Sequence, residues 1–300
     1  MKVSIILPYF DAPVKGCLES IEKQTYPDIE LIKISEKDLG ITGRKGAGFM
    51  RNAGAKMAHG DILFFLDADA VLLPDAIQQL VAVFQATMAD AVSALPLAPR
   101  ETESDRLNYL LGLEYEERIR SMGEGWVSVA ATTGLGVKKE AFAALGGFVT
   151  EFSRGIGEDW IFSRSLVNKG FKIWHSNRVG LYHFTAETFK KYLTKQAWHA
   201  GYRVVHFQRF KETTDSYTTF LPTTLLMCNI PLAVRLLKRR KDPAALLLFP
   251  LTLARNAVWV TAALLVWMRL IRLPRQVGVE EAKLMPISQR HPYPGGRAPR

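Results

Sequence analysis

Short apolar segments alternate with helix-like segments over the first hundred residues, and this alternation constrains the fold more than any other feature. The pattern predicts strands at residues 3–7, 29–34, 62–66 and 91–95, and helices at residues 14–24, 47–58 and 75–89. Short apolar strands separated by helices are typical of α/β proteins with an open, mainly parallel sheet covered by helices. Ligands of such sheets bind beyond the carboxyl ends of the strands, so functional residues are expected there.

Two carboxylates follow the third predicted strand directly. The apolar run 62–66 ends at Asp67 and Asp69, with one small residue between them. Side chains at i and i+2 of a strand point the same way, so these carboxylates would lie about 5–7 Å apart and repel each other. A Mg²⁺ or Mn²⁺ ion with a phosphate-bearing ligand would relieve that repulsion. A solvated Asp-x-Asp turn is the alternative; the position at a strand end favours the functional site.

A glycine-rich, basic segment lies between the second and third strands. Residues 43–51 contain Gly-x-Gly-x-x, but Arg51 occupies the position of the third glycine and no strand ends immediately before the segment. A dinucleotide-binding fingerprint is therefore poorly supported. Arg44, Lys45 and Arg51 instead surround a loop and a helix start, where backbone N–H groups and cations suit a pyrophosphate. Three basic residues on a solvated loop are the alternative.

A second acidic pair and a histidine lie farther along the chain. Glu158 and Asp159 follow a glycine-rich loop and open a predicted helix. The helix dipole favours acids in the first turn, which is one account of the pair. In the other account one acid is a general base, bordered by Trp160 and desolvated when substrate closes the site. His183 ends another apolar run; it is either a hydrogen-bonded structural residue or, with Asp69, part of a mixed oxygen and nitrogen site for manganese.

Composition and charge restrict the partners. The formal net charge of +10 favours an anionic partner: nucleic acid, a phosphorylated substrate or a membrane surface. The sequence has no helix-turn-helix pattern, zinc-finger spacing or ribonucleoprotein motif, which argues against nucleic acid. Much of the basic charge borders the apolar C-terminal segments and points to lipid head groups. Two distant cysteines, Cys17 and Cys228, and no N-terminal signal-peptide pattern predict a reduced, cytoplasm-facing protein.

Two strongly apolar stretches, residues 219–237 and 243–268, predict membrane association, and the second is long enough to span a bilayer. A spanning hairpin would place the basic cluster 238–241 on the far side of the membrane, against the positive-inside preference. It would also place Arg255 and Asn256 near mid-bilayer, where they are costly. Helices that lie at the interface on one side resolve both conflicts, so we favour one-sided association over spanning. A soluble helical cap or a dimer interface is a third alternative.

The chain resembles the family 2 glycosyltransferases in a set of motifs that follow one another in the family's order. The resemblance covers residues 2–210. The motifs are residues 3–11 (VSIILPYFD), 18–27 (LESIEKQTYP), 51–55 (RNAGA), 60–75 (GDILFFLDADAVLLPD), 157–159 (GED), 182–183 (YH) and 196–201 (QAWHAG). This resemblance implies an inverting enzyme with the GT-A type fold, a Rossmann-like fold that binds a nucleotide-diphospho-sugar.

The resemblance implies a metal site for the donor. Asp69 is expected to bind the Mn²⁺ or Mg²⁺ ion that bridges the donor's diphosphate. Asp67 is expected to contact the ribose or the metal, and His183 is expected to be a further metal ligand.

The resemblance also implies a nucleotide-binding set at the ends of the first strands. The residues expected to hold the nucleotide are Pro8, Tyr9, Asp11, Asp38, Arg51 and Asp67. The family's Asp-Asp-Gly-Ser-like turn after the second strand is missing, and Ser35, Glu36 or Asp38 fills the place of the acid that contacts the nucleotide base. The identity of the donor therefore stays open.

On the acceptor side, Asp159 would be the catalytic base, with Glu158 beside it. A base on one face of the anomeric carbon and a stabilised leaving diphosphate on the other predict inversion. The missing Gln-x-x-Arg-Trp signature favours transfer of a single sugar, and the apolar C-terminal stretches favour a lipid or lipid-linked hydroxyl or phosphate acceptor. The alternatives are a catalytically inactive membrane adaptor that keeps the fold, and a nucleotidyltransferase.

The chain accordingly divides into three predicted parts. Residues 1–212 form the catalytic domain, residues 213–275 a membrane-associated helical segment, and residues 276–300 a disordered tail rich in Pro, Arg and Gly. Within the first part, residues 104–120 have helical spacing. They form either a helix that borders the cleft or a solvated surface helix.

Overall fold

The computed structural model describes residues 1–10, 16–40, 46–100, 102, 104–150, 157–184, 188–209, 230–241 and 243–271. The strands in this part of the chain are β1 (Val3–Pro8), β2 (Ile29–Ile34), β3 (Ile62–Leu66), β4 (Ala70–Leu72), β5 (Ala91–Leu97), β6 (Gly125–Val127), β7 (Gly134–Lys138) and β8 (Ile173–His183). The helices are α1 (Cys17–Glu22), α2 (Ala47–Met57), α3 (Ala76–Thr87), α4 (Arg106–Arg120), α5 (Lys139–Leu145), α6 (Glu158–Asn168), α7 (Phe189–Arg209), α8 (Ile230–Arg240) and α9 (Leu248–Trp267), and a 3₁₀ helix spans Pro243–Leu247.

All of these strands belong to one sheet. Their order is β2-β1-β3-β7-β5-β8-β4, with β6 also paired to β8. β1 pairs in parallel with β2 and β3, and β5 pairs in parallel with β8. β7 lies antiparallel between β3 and β5, and β4 and β6 are antiparallel to β8. Most strands therefore run in one direction, which confirms the predicted α/β fold, and β1, β3, β5 and β8 end at the same edge of the sheet.

The core occupies both faces of this sheet. Successive side chains of a strand point to opposite faces, so neighbouring residues of β3 enter different clusters. Phe64 packs in a cluster with Leu80 of α3, whereas Phe65 packs in another with Phe142 of α5 and Phe162 of α6. Full burial of each such side chain contributes about 1.5–3 kcal/mol. Burial on both faces explains why β1 and β3 are nearly continuous apolar runs in the sequence.

Three parts of the sheet differ from the prediction. The apolar pattern predicts a strand at residues 171–174, whereas β8 continues to His183. The signal stops because the middle of β8 is polar, although His175 and Ser176 are buried. β4 and β6, at three residues each, are too short to show a periodic pattern.

Helix α4 covers the segment for which the sequence left two alternatives. Asp105 precedes the helix and accepts a hydrogen bond from the N–H of Asn108 at 3.0 Å, which defines its start. Glu114, Glu116 and Glu117 on this helix are buried. They form ion pairs with arginines of α8 and α9, namely Arg235, Arg239 and Arg255. The segment is therefore packed between other elements and is not a solvated surface helix.

The C-terminal helices pack on α4 and α7. Arg255 of α9 pairs with Glu114 of α4, and the indole N–H of Trp259 donates to Oε1 of Gln196 in α7 at 3.0 Å. Among the described residues, one helical stretch, Ala245–Trp267, is long and apolar enough to cross a membrane. The predictions for residues 213–229 and for the tail at 276–300 fall outside the described residues.

Candidate active site

Asp67 and Asp69 lie at the sheet edge where β1, β3, β5 and β8 end. Asp67 directly follows β3, and Asp69 directly precedes β4, whose first residue, Ala70, pairs with His183 of β8. The N–H of Phe184 donates to the carbonyl oxygen of Asp69 at 2.7 Å. Strand pairing thus brings Asp69 and His183 together although they are far apart in the sequence.

Asp67, Asp69 and His183 form a group that can hold a metal ion. One ligand atom from each lies within 4.8 Å of the other two. Nε2 of His183 is 3.3 Å from Oδ1 of Asp69, and the Asp69 side chain is 44% exposed, so an incoming ligand can reach it. Two carboxylates and an imidazole are donors that suit manganese, and the carboxylates suit magnesium. The residues present therefore fit the divalent ion that the family resemblance implies.

Asp69 and His183 shift each other's pKa. Burial lowers the pKa of His183, but the hydrogen bond and charge of Asp69 outweigh burial and hold that pKa above its usual value. Burial alone would raise the pKa of Asp69. The hydrogen bond and the charge of His183 outweigh burial, so the pKa of Asp69 lies below its usual value. Because metals bind the neutral imidazole, an ion at this site would compete with the protonation of His183.

Arg51 of α2 is only 4% exposed and links two acids from different elements. Its Nη2 donates to Oδ1 of Asp67 at 2.8 Å, and its Nη1 donates to Oε1 of Glu158 at 2.9 Å. The guanidinium also lies 5.6 Å from the ring centroid of Phe148. Arg51 therefore joins the end of β3 to the start of α6. Its contact with a nucleotide stays a prediction, because both terminal nitrogens already bind carboxylates.

The residues after Arg51 explain how α2 reaches this position. A Cβ at Gly54 would lie 2.6 Å from Cγ2 of Ile6, so the missing side chain lets α2 pack closely on β1. Asn52 fixes the backbone of Phe148 from both sides: its Nδ2 donates to the carbonyl oxygen at 2.7 Å, and its Oδ1 accepts from the N–H at 2.8 Å. The Arg-Asn-Ala-Gly motif thus positions a helix, a loop and a buried cation together.

Glu158 and Asp159 begin α6 after Gly157, whose φ of 92° lies in the left-handed region that favours glycine. Glu158 is buried and held by Arg51. Oδ1 of Asp159 accepts a hydrogen bond from the N–H of Trp160 at 2.7 Å. The pKa of Asp159 is raised to about 7. Burial is the largest cause, and the charge of Glu158 is the second. A carboxyl group that titrates near neutrality suits general-base catalysis.

Tyr115 of α4 belongs to this site, although no sequence motif includes it. Its ring centroid is 6.1 Å from that of His183, and the Arg118 guanidinium is 5.2 Å from the tyrosine ring. Burial raises the pKa of Tyr115, Arg118 partly offsets this, and the charges of Asp159 and Asp67 raise it further. Tyr115 therefore packs beside His183, one of the predicted metal ligands. The sequence marks it only as one aromatic residue in a helical pattern.

Pro8, Tyr9 and Asp38 lie together where β1 and β2 end. Pro8 is the last residue of β1, and the N–H of Tyr9 donates to the carbonyl oxygen of Ile34 at 3.0 Å. The Tyr9 hydroxyl donates to Oδ2 of Asp38 at 2.9 Å, and the Ser35 hydroxyl donates to the same oxygen at 2.7 Å. The bonds from Ser35, and then from Tyr9, lower the pKa of Asp38.

The predicted residues thus form two groups on one sheet edge. The first group consists of Arg51, Asp67, Asp69, Glu158, Asp159 and His183, and the second consists of Pro8, Tyr9 and Asp38. The second group lies at the ends of β1 and β2, on the side of β3 away from β8. The predictions for Asp11, Arg44 and Lys45 fall outside the described residues.

Comparison with known proteins shows what this chain is similar to. Residues 41–146 match the family model described as Glycosyl transferase family 2. The mannosyltransferase PcManGT from Pyrobaculum calidifontis, solved in complex with GDP-Man and Mn²⁺, has a similar structure, with a TM-score of 0.56 and 18% sequence identity over 89% of this chain and 87% of that chain. TarS 1–349 from S. aureus, in complex with UDP, has a TM-score of 0.45 and 15% identity over 90% of this chain and 92% of that chain. A search of curated protein sequences finds no match. The sheet and its flanking helices are of the GT-A type.

Proposed function

We propose that this chain, part of which matches the family 2 glycosyltransferase model, is a metal-dependent glycosyltransferase that inverts the anomeric carbon of a nucleotide-diphospho-sugar. The proposed acceptor is a lipid or lipid-linked molecule that presents a hydroxyl or phosphate at a membrane surface. One observation carries the proposal: Arg51 ties Asp67, a member of the group that can hold a metal ion, to Glu158, the neighbour of Asp159. The groups proposed to bind the donor and to activate the acceptor are therefore joined through one buried arginine.

We assign the donor's diphosphate to Asp67, Asp69 and His183, which would hold Mn²⁺ or Mg²⁺. PcManGT, which has a similar fold, was solved with GDP-Man and Mn²⁺, and this supports both the ion and the class of donor. When bound, the ion supplies positive charge that stabilises the leaving diphosphate. Asp67 is held in place by its bond from Arg51, and Asp69 by its backbone bond from Phe184, so the chain presents both carboxylates in a fixed arrangement.

We assign the base to Asp159. Its carboxylate would accept the proton of the acceptor O–H while the acceptor oxygen forms a bond to the anomeric carbon. The bond from that carbon to the diphosphate oxygen breaks at the same time, and its electron pair leaves with the nucleoside diphosphate. Attack on the face opposite the leaving group inverts the configuration. The raised pKa of Asp159 supports this role, because the group can take up a proton near neutral pH.

We further propose that the C-terminal helices bind one side of a membrane. Large apolar side chains are exposed on the 3₁₀ helix, on α9 and after it, among them Leu246, Leu247, Phe249, Leu253, Leu264, Trp267 and Leu270. Lys238, Lys241 and Arg269 are exposed beside these helices and suit anionic head groups. Arg255, which would be costly at mid-bilayer, pairs instead with Glu114 of α4. These contacts favour a helix that lies on the membrane surface over one that spans it.

A thermal-shift screen tests the donor assignment. The unfolding temperature of the purified full-length protein would be measured with UDP-sugars and GDP-sugars, with and without Mn²⁺. A ligand at a hundred times its Kd stabilises a protein by about 2.7 kcal/mol. At least one nucleotide-sugar is expected to stabilise the protein only when Mn²⁺ is present. If none does so with Mn²⁺ or Mg²⁺, the proposed function is wrong.

A further inference from the structure

His183 belongs to the group proposed to hold the metal ion, but few contacts hold its imidazole ring in place. Nε2 of His183 lies 3.3 Å from Oδ1 of Asp69, which is itself a member of that group. Nδ1 of His183 makes no hydrogen bond to any described residue. Histidines that bind metals usually donate a hydrogen bond from the second ring nitrogen, and that bond orients the ring. Since the described residues supply none, packing has to orient this imidazole.

Tyr115 of α4 is the aromatic residue that packs against this imidazole. The two ring centroids are 6.1 Å apart, and the ring planes are inclined by 56°. Within the described residues this is the one ring contact of His183. The χ2 torsion of a histidine has broad minima, so an imidazole without neighbours turns easily. Removing the tyrosine ring would take packing contacts from one side of the imidazole and free it to turn.

Helix α4 holds Tyr115 firmly. The residues on either side of it, Glu114 and Glu116, are buried and pair with arginines of α9 and α8. The guanidinium of Arg118 lies 5.2 Å from the centroid of the tyrosine ring, which adds a cation–π contact. The backbone on both sides of Tyr115 is therefore anchored, and the ring that contacts His183 stands on a rigid support.

We infer that Tyr115 is a positioning residue whose ring holds the imidazole of His183 with Nε2 directed at Asp69, so that a divalent ion meets a preoriented nitrogen ligand. Tyr115 acts through His183 and is not a ligand in this proposal. The inference rests on the metal site of the proposed function, because it needs an ion at Asp67, Asp69 and His183.

Binding of Mn²⁺ alone to the full-length protein tests this inference without relying on turnover. Electron paramagnetic resonance measures the affinity. The electron spin-echo spectrum of the bound ion shows nitrogen modulation when an imidazole is among its ligands. The His183→Gln variant identifies the part of that modulation that comes from His183. The protein is prepared without a histidine tag, so that the tag adds no imidazole.

Two substitutions of Tyr115 separate its ring from its hydroxyl group. Tyr115→Leu removes the ring and is expected to weaken Mn²⁺ binding about tenfold and to reduce the nitrogen modulation towards that of His183→Gln. Tyr115→Phe keeps the ring and is expected to retain both the affinity and the modulation of the wild-type protein. If Tyr115→Leu does not fold, Tyr115→Met, whose flexible side chain adapts to the space left by the ring, takes its place with the same expectation.

Tyr109→Leu is the matched control. Tyr109 is buried on the same helix, and the guanidinium of Arg106 lies 5.8 Å from its ring centroid, as that of Arg118 lies near Tyr115. Tyr109 belongs to the hydrophobic cluster that contains residues of α8 and α9, whereas Tyr115 packs on His183. Tyr109→Leu is expected to lower the free energy of unfolding and to leave the Mn²⁺ affinity and the nitrogen modulation as in the wild-type protein.

Wild-type affinity and modulation in Tyr115→Leu would overturn the inference, and so would an equal loss in Tyr115→Phe or in Tyr109→Leu. Mn²⁺ binding that depends on the ring, in a protein that releases no nucleoside diphosphate from any nucleotide-sugar, would support the positioning role and contradict the proposed function. A wild-type protein that binds no Mn²⁺, alone or with UDP or GDP, would overturn both.

Discussion

Glu158 and Asp159 are neighbours in the chain, but their surroundings give them different properties. Glu158 is buried and pairs with Arg51, which lies 107 residues earlier in the sequence. Asp159 is half-buried, and burial together with the charge of Glu158 raises its pKa to about 7. The structure therefore favours Asp159 as the base and Glu158 as the residue that fixes the start of α6. The family resemblance already implies Asp159 as the base, whereas the pairing of Glu158 with Arg51 could not be predicted, because it depends on a distant helix.

Asp159→Asn is expected to abolish sugar transfer and to leave donor affinity unchanged. The amide cannot take up the acceptor proton, and Asp159 is not among the proposed metal ligands. Transfer rate and donor affinity, measured on the same variant, test this. Asp28→Asn, which changes an exposed acid in the turn before β2, is the control. Full turnover by Asp159→Asn would remove the base assignment.

The raised pKa of Asp159 also predicts a pH dependence of activity and stability. The transfer rate should rise with pH through about 7, as Asp159 loses its proton. Stability should change in the opposite direction. Between pH 3.8 and about 7 the unfolded carboxyl ionises while the folded one stays protonated, so the stability that Asp159 contributes is lost as pH rises.

Asp159→Asn lacks this loss and should be the more stable protein at about pH 8, by at most about 1.4 kcal/mol for each pH unit between the two pKa values. The difference should shrink towards about pH 4. Urea unfolding of both proteins at the two pH values measures it. A difference that is the same at both would contradict the raised pKa.

Asp69→Ala is expected to remove metal-dependent donor binding. It deletes the more exposed of the two carboxylates proposed to hold the ion, and this carboxylate is also the partner of His183. Calorimetric titration of a nucleotide-sugar in the presence of Mn²⁺ measures this. Asp28→Ala should bind the donor as wild type does. Unchanged donor affinity in Asp69→Ala would reject the metal site.

At the scale of elements, a buried ion network holds the site together. Arg51 connects α2, the end of β3 and the start of α6 through two carboxylates. Arg51→Gln is expected to lower the free energy of unfolding by about 3–5 kcal/mol, because it leaves Glu158 buried without its cation. Lys23→Gln, which breaks an exposed pair with Glu19, should cost about 0–1 kcal/mol. Equal effects of the two substitutions in urea unfolding would contradict this account.

The same elements show what sequence reasoning can reach. β1 and β3 and the acids at Asp67 and Asp69 were predictable, because a strand buried on both faces is a nearly continuous apolar run and ligands of such sheets bind at strand ends. The second half of β8 was not, since its middle is polar although His175 is buried. The bridging role of Arg51 and the position of Tyr115 also depend on packing between distant elements, which no local pattern records.

At the scale of the whole molecule, α9 is apolar enough to span a bilayer but is attached to the rest of the protein. Arg255 in its middle pairs with Glu114, and Trp259 bonds to Gln196. Removing α9 into a bilayer would break both contacts and leave Glu114 buried without its cation. The domain division at residues 212 and 275 stays a prediction.

One-sided association predicts that residue 241 and the catalytic domain lie on the same side of the membrane. In a Cys228→Ser background, where Cys17 is buried, Lys241→Cys and Met57→Cys would be labelled with a membrane-impermeant maleimide in sealed vesicles. Both positions are exposed in the protein. Both should react from the same side. Reaction from opposite sides would favour a spanning hairpin.

The most direct test of the central claim is a transfer assay with purified full-length protein, Mn²⁺, a panel of UDP-sugars and GDP-sugars, and vesicles of extracted membrane lipid. One donor is expected to yield nucleoside diphosphate and glycosylated lipid in equal amounts, and the Asp69→Ala and Asp159→Asn variants are expected to yield neither. Release of pyrophosphate in place of nucleoside diphosphate, or no turnover of any donor by the wild-type protein, would contradict it.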